Sequence, residues 1–195
     1  PAREFLLVAD NVLEARRVAL EESFFRKENE RLRERMRIAR EREAARKALA
    51  SELGLRDEAL LERLLDLGIR IDTVEALALA PLAFVAWADG EMEPHEHDAV
   101  MKGAEGSGIA PGSPGYALLE TWTKQPPPEE LMESWSAYIQ ALVRQLSADQ
   151  RAALEERILG RARAVAEAAG GFLGLAKVSK EEEALLTELE RAFGG

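Results

Sequence analysis

Between Ala2 and Leu53 the chain contains neither glycine nor proline, and alanine, leucine, glutamate and arginine dominate the stretch. Such side chains give up little rotamer freedom in a helix, and nothing there interrupts the backbone hydrogen-bond ladder. Residues 1–53 are therefore expected to form one long charged helical arm, reaching about 75 Å at the usual helical rise. Its first part, Phe5 to Phe25, is rich in apolar side chains and calls for a packing partner. Beyond Phe25 the apolar positions thin to Leu32, Met36 and Ala39, the spacing of a narrow heptad seam. With Phe24 and Phe25 at its head, this seam is the candidate partner-binding surface: a coiled coil, or a strut awaiting another chain. Acid-to-base pairs such as Glu22–Arg26 and Glu43–Lys47 add roughly a few tenths of a kcal/mol each.

Residues 54–195 are punctuated quite differently. Gly54 ends the arm, and Asp57 caps a short helix to Leu67, closed by Gly68. Asp72 and Glu75 have the spacing of a capping box ahead of a helix running to Ala88. That helix is apolar on every side and should be central, and Pro81 inside it should kink or divide it. Pro94 suits the first turn of a helix over 94–105, and Ser113-Pro114 opens another to Trp122. After Pro126-Pro127-Pro128 comes an amphipathic helix over 129–145, with Leu131, Trp135, Tyr138, Ile139 and Leu142 on one face. Ser147 and Gln150 form a capping box for a helix to Ala169. Gly170, Gly171 and Gly174 then permit a tight turn, and Ser179 with Glu182 starts a last helix ending near Phe193. Trp122 and Trp135 are expected in the core. No stretch alternates like a strand between turn residues, so the expected fold class is all-α, a compact bundle with a long N-terminal helix.

Composition narrows the function classes. With no cysteine there are no disulfides, thiolate metal sites or cysteine nucleophiles, which fits a reducing, cytoplasmic setting. No basic-then-apolar leader is read at the start. The longest apolar run, Ala76 to Ala88, is too short to span a bilayer. Net charge is −10, which argues against nucleic acid, yet Arg26 to Lys47 holds ten Lys/Arg against five Glu, a local +5. Those glutamates dilute the positive field, and no aromatic follows Phe25 within the arm, so neither nucleic acid nor membrane is the expected partner.

The densest chemistry lies at Asp89-Gly90-Glu91-Met92-Glu93-Pro94-His95-Glu96-His97, where carboxylates and both histidines gather at a helix-to-helix turn. Asp89, Glu91, Glu93, Glu96 and His97 are candidate ligands for a divalent cation (Ca²⁺, Mg²⁺ or Zn²⁺), with His95 beside them. The spacing matches neither an EF-hand loop nor a zincin helix, and the same acids serve equally well as helix caps facing water. The glycines from 170 to 174 lack Walker A spacing and no strand precedes them. Nothing proposes a nucleophile–base pair, so no enzyme is expected.

Val85-Ala86-Trp87-Ala88-Asp89-Gly90-Glu91-Met92-Glu93-Pro94-His95-Glu96, supported by Lys177-Val178-Ser179-Lys180-Glu181-Glu182-Glu183, resembles the TerB-like family of helical domains associated with tellurite resistance. The match covers residues 72–109 and 147–193. In both segments an apolar residue (Met92, Val178) precedes an oxygen-bearing cap (Glu93, Ser179), with a glutamate three residues on (Glu96, Glu182). The resemblance implies a compact helical bundle, an acidic surface proposed to bind metal ions, and no established catalytic role. The second turn departs from the family pattern, having Leu175-Ala176 in place of Asp-Gly. A fainter similarity links Phe24–Leu55, a charged helix leading into Glu-Leu-Gly-Leu, to the bacterial ATP-synthase inhibitor ζ subunit. Three functions follow as expectations: a protein-interaction module acting on itself or on a partner through the N-terminal helix, a divalent-cation or metal-stress protein, and a regulator of a larger enzyme.

Overall fold

The computed structural model of the chain describes residues 2–170 and 178–194, without the side chains of 2–15, 18, 19, 169 and 170. Every regular element among them is a helix: α1 (Ala2–Leu53), α2 (Glu58–Asp66), α3 (Val74–Ala86), α4 (Pro94–Gly106), α5 (Pro114–Lys124), α6 (Glu129–Val143), α7 (Ala148–Gly170) and α8 (Lys180–Gly194). The fold is all-α, as the sequence leads one to expect. None of these helices is long and apolar enough to cross a membrane. Two sequence features fall largely outside the described residues: the glycine turn after Gly170, and most of the apolar stretch beginning at Phe5.

The chain divides into two compact units, Pro1–Ala44 and Ala45–Gly195. The first is helix throughout its described length. The second starts inside α1, ahead of the Gly54 break, because the last turns of that helix carry core residues. Leu49 and Leu55 are buried, and Arg46 lies 2.9 Å from Glu58 and 3.6 Å from Glu62 on α2. Gly54 still makes the turn, with φ +64°, a left-handed conformation that suits a residue without Cβ.

Within the second unit α3 packs against α4, α5, α6, α7 and α8. Ten of its residues are buried, from Ala76 through Ala86, as its all-round apolar pattern requires. Pro81 does not divide it: the ring is buried mid-helix, where packing on several sides compensates for the missing N–H. Its N-cap is a correction. Thr73, not Asp72, stands at that position, and its hydroxyl is used elsewhere, accepting from Arg70 N at 2.7 Å and donating to Gly68 O at 2.8 Å. The local Asp72/Glu75 spacing loses to this tie back to the preceding turn.

Other starts follow the sequence closely. Asp57 Oδ1 accepts from Leu60 N at 3.0 Å, and Ser113 Oγ accepts from Tyr116 N at 3.2 Å. At the head of α7 the box is reciprocal: Ser147 N donates to Gln150 Oε1 (2.9 Å) and Gln150 N to Ser147 Oγ (3.3 Å). On α6, Leu131, Trp135 and Ile139 are buried while Tyr138 and Leu142 are half-buried. Trp135 meets Phe193 of α8 edge-on, with ring centroids 6.1 Å apart. Trp122 is buried too, and its carbonyl accepts from Trp87 Nε1 at 2.8 Å.

Candidate functional site

Two places carry the candidate residues, and each is built by its own local chemistry. The first is the turn between α3 and α4. Asp89 Oδ1 accepts from Glu91 N at 3.0 Å, an Asx-type turn, and Gly90 adopts φ +90° to reverse the chain. Met92 packs partly buried against the core, Glu93 takes the N-cap of α4, and Pro94 sits at its first position. Glu96 turns back: its Oε2 accepts from Glu93 N at 2.8 Å, and the residue is only 4% exposed. His95 Nδ1 lies 3.3 Å from Glu93 Oε2, and His97 Nδ1 lies 3.3 Å from Asp98 Oδ1.

The proposed ligands are thus brought near one another in sequence but not gathered around a point. Among the described residues no group of three or more His, Asp or Glu side chains is arranged to hold a metal ion. Glu96 faces inward as a cap, Asp89 is engaged with its own turn, and Glu91 is exposed. The head of α8 repeats the device. Ser179 N donates to Glu182 Oε2, Glu182 N donates to Ser179 Oγ at 3.1 Å, Glu182 is buried, and Val178 packs against the core. Both glutamates satisfy helix-start N–H groups that would otherwise be orphaned.

Burial holds the Glu96 carboxyl above the usual carboxylate range, against the opposing pull of the Glu93 N–H. A raised native pKa means that the ionised carboxyl stabilises the fold less than the protonated one does. Its favourable contribution is complete below the unfolded value of about 4.3 and is lost as pH rises through the native one. Glu96→Gln keeps the acceptor and discards the charge. Its stability relative to wild type is therefore expected to decline on going from pH 7 to pH 4, measured as urea midpoints. Glu96→Ala, which leaves Glu93 N without its acceptor, should lose about 1 kcal/mol at neutral pH. A Gln variant whose difference from wild type ignores pH would contradict this account.

The second place is the N-terminal helix. Phe24 and Phe25 are each 63% exposed, Leu32 53% and Met36 48%, and Ala39 is exposed as well. The two phenylalanine rings touch edge-on at 5.9 Å. Phe25, Leu32 and Ala39 recur every seven residues with Met36 beside the last two, so four of the five candidates share one face. Met36 separates two shallow depressions. Leu32, Arg35, Ile38 and Ala39 border one, and Arg33, Arg37, Arg40 and Glu41 border the other. The apolar seam is therefore flanked by guanidinium groups.

No protein-family model, curated protein or solved structure matches this chain. Likeness to TerB-like domains accordingly rests on the quoted motif residues.

The flanking arginines escaped the reading by net charge. Arg26, Arg33 and Arg40 stand seven residues apart, a period visible in the sequence once the seam is used as the ruler. What only the structure gives is their state of pairing. Arg37 donates to Glu34 (2.9 and 2.6 Å) and to Glu41 (2.7 Å), and Arg31 lies 3.7 Å from Glu28. The Arg37 guanidinium holds the Glu34 carboxyl below its ordinary range. Arg26, Arg33, Arg35 and Arg40 have no ion pair with any described residue, and the expected Glu22–Arg26 pair is not formed.

Proposed function

We propose that this chain is a non-catalytic protein-interaction module. Its N-terminal helix would dock another chain through the Phe25–Ala39 seam, and its second unit would be an acidic, TerB-like helical body. The observation that supports this reading is the set of large apolar side chains left about half exposed or more along one face of the helix: Phe25, Leu32 and Met36. Contiguous exposed apolar surface is costly in water and marks places where another surface settles. The cation reading has less support, since two acids of the α3–α4 turn, Asp89 and Glu96, already accept from the backbone N–H groups of Glu91 and Glu93.

Each fully covered Leu or Met is worth about 1.5–3 kcal/mol. Replacing both Leu32 and Met36 by glutamate is therefore expected to weaken docking about a hundredfold or more. Both positions are exposed, so the melting temperature of the second unit should stay unchanged. The direct test places a photo-cross-linking side chain at Ala39 of the full chain and looks for an adduct in cells, alongside solution mass by light scattering. An adduct lost in the Leu32→Glu/Met36→Glu variant supports the proposal. A monomer with no adduct overturns it.

A further inference from the structure

We infer that the partner seated on this seam is an acidic amphipathic helix of another protein, and not a second copy of this helix. The inference rests on the docking role proposed above and goes on to specify the occupant.

The charge pattern carries it. Along the seam, Arg26, Arg33 and Arg40 follow one flank at seven-residue spacing, and Arg35 stands on the other. These are the positions that face the flanks of a partner helix in a two-helix coiled coil, where opposite charges select the partner and like charges reject it. All four are exposed and without an ion pair among the described residues, whereas Arg37, which borders the same depression as Arg33 and Arg40, is held by two glutamates. Glu28, the acid beside the seam's first turns, is already engaged by Arg31. The face therefore offers apolar contact together with unspent positive charge.

A second copy set antiparallel would bring Arg26, Arg33 and Arg40 against themselves, and one set parallel would bring Arg35 against Arg40 while leaving only Glu28 to face Arg33. That repulsion falls at the contact edge, where screening is weakest. An acidic helix with its own apolar stripe gives each guanidinium a carboxylate, and arginine suits this because its planar fork can take both oxygens. A lipid surface fits less well. Glu28, Glu30, Glu34 and Glu41 interrupt the exposed surface of the helix between its apolar side chains.

The test uses the full chain and two synthetic helical peptides of about four heptads. Both carry leucine along the seam; one has glutamate and the other lysine at the flanking positions. In fluorescence anisotropy the glutamate peptide is expected to bind about tenfold or more tighter than the lysine peptide. Its affinity should fall as NaCl is raised towards 1 M, where the screening length shrinks to about 3 Å. Arg33→Glu with Arg40→Glu should reverse the ranking, and Leu32→Ala with Met36→Ala should abolish binding of either peptide, with helix content by circular dichroism unchanged. Equal affinity for the two peptides overturns the inference, as does binding only to phosphatidylserine vesicles. A photo-adduct at Ala39 between two copies of this chain would overturn it while leaving the docking role intact. With no adduct of any kind, both would fall.

Discussion

Trp135→Ala is expected to lower the unfolding free energy by about 3–5 kcal/mol, the usual cost of emptying a large aromatic site in a core. The indole is fully buried on α6 and meets Phe193 of α8 edge-on at 6.1 Å, so its removal opens a void between two helices and forfeits an aromatic contact. Against a typical domain stability of about 5–15 kcal/mol, that is enough to unfold a large share of the molecules near body temperature. Trp135→Phe separates the causes. The Nε1 group has no hydrogen-bond partner among the described residues, so phenylalanine gives up volume but no bond. Removing a buried unpaired donor also returns some free energy, and the variant should lie within about 1 kcal/mol of wild type. Chemical denaturation of the three proteins would check both figures. If the phenylalanine variant fell as far as alanine, the indole N–H would be making a bond that this account denies.

Gly103→Val is expected to cost about 2–3 kcal/mol, even though replacing glycine inside a helix normally helps. A side chain at this place on α4 would put its Cβ 2.7 Å from Leu82 Cδ2 on α3, well inside contact distance. Leu82 is buried in a helix enclosed by five others, so its branched end has little room to turn away. Valine adds two further methyl groups at the same spot, and overfilling of this kind typically costs about 1–3 kcal/mol. Gly103→Ala places the same Cβ against Leu82 but adds no further methyl, so the gain in helix propensity, about 1 kcal/mol, offsets part of the crowding and the variant should lie between wild type and valine. Thermal melts would distinguish the two, and a valine variant that melted higher than wild type would mean that α3 and α4 can move apart freely.

Much of the fold was legible because helix starts are local. Asp57, Ser113, Ser147 and Ser179 each cap the helix assigned to them, since a short oxygen-bearing side chain reaches only its own first turn. The exceptions arise where a distant contact outbids a near one. Thr73 displaced Asp72 because its hydroxyl reaches back to Gly68, and α3 absorbed Pro81 because it is packed all round. Likewise, the second unit begins at Ala45 because Leu49 is buried there, which no break in composition announces.

The candidate site was harder. A carboxylate in a sequence looks the same whether it will cap a helix, bind an ion or face water. Only burial and partners tell these apart, and Glu96 was the one hidden case among the proposed ligands. The seam was visible as a spacing, but the difference between occupied Arg37 and unoccupied Arg33 and Arg40 depends on rotamers that no spacing contains.

Because five helices share α3 as their common wall, none of α4 through α8 has a complete surface to settle on until that wall stands. Order in the second unit is therefore gained and lost nearly all at once. The first unit lies within a single helix and obeys a different rule: it loses order by degrees, turn by turn, as heat or solvent favours coil. One polypeptide thus combines an all-or-none transition with a graded one, and a change that erodes the second need not touch the first.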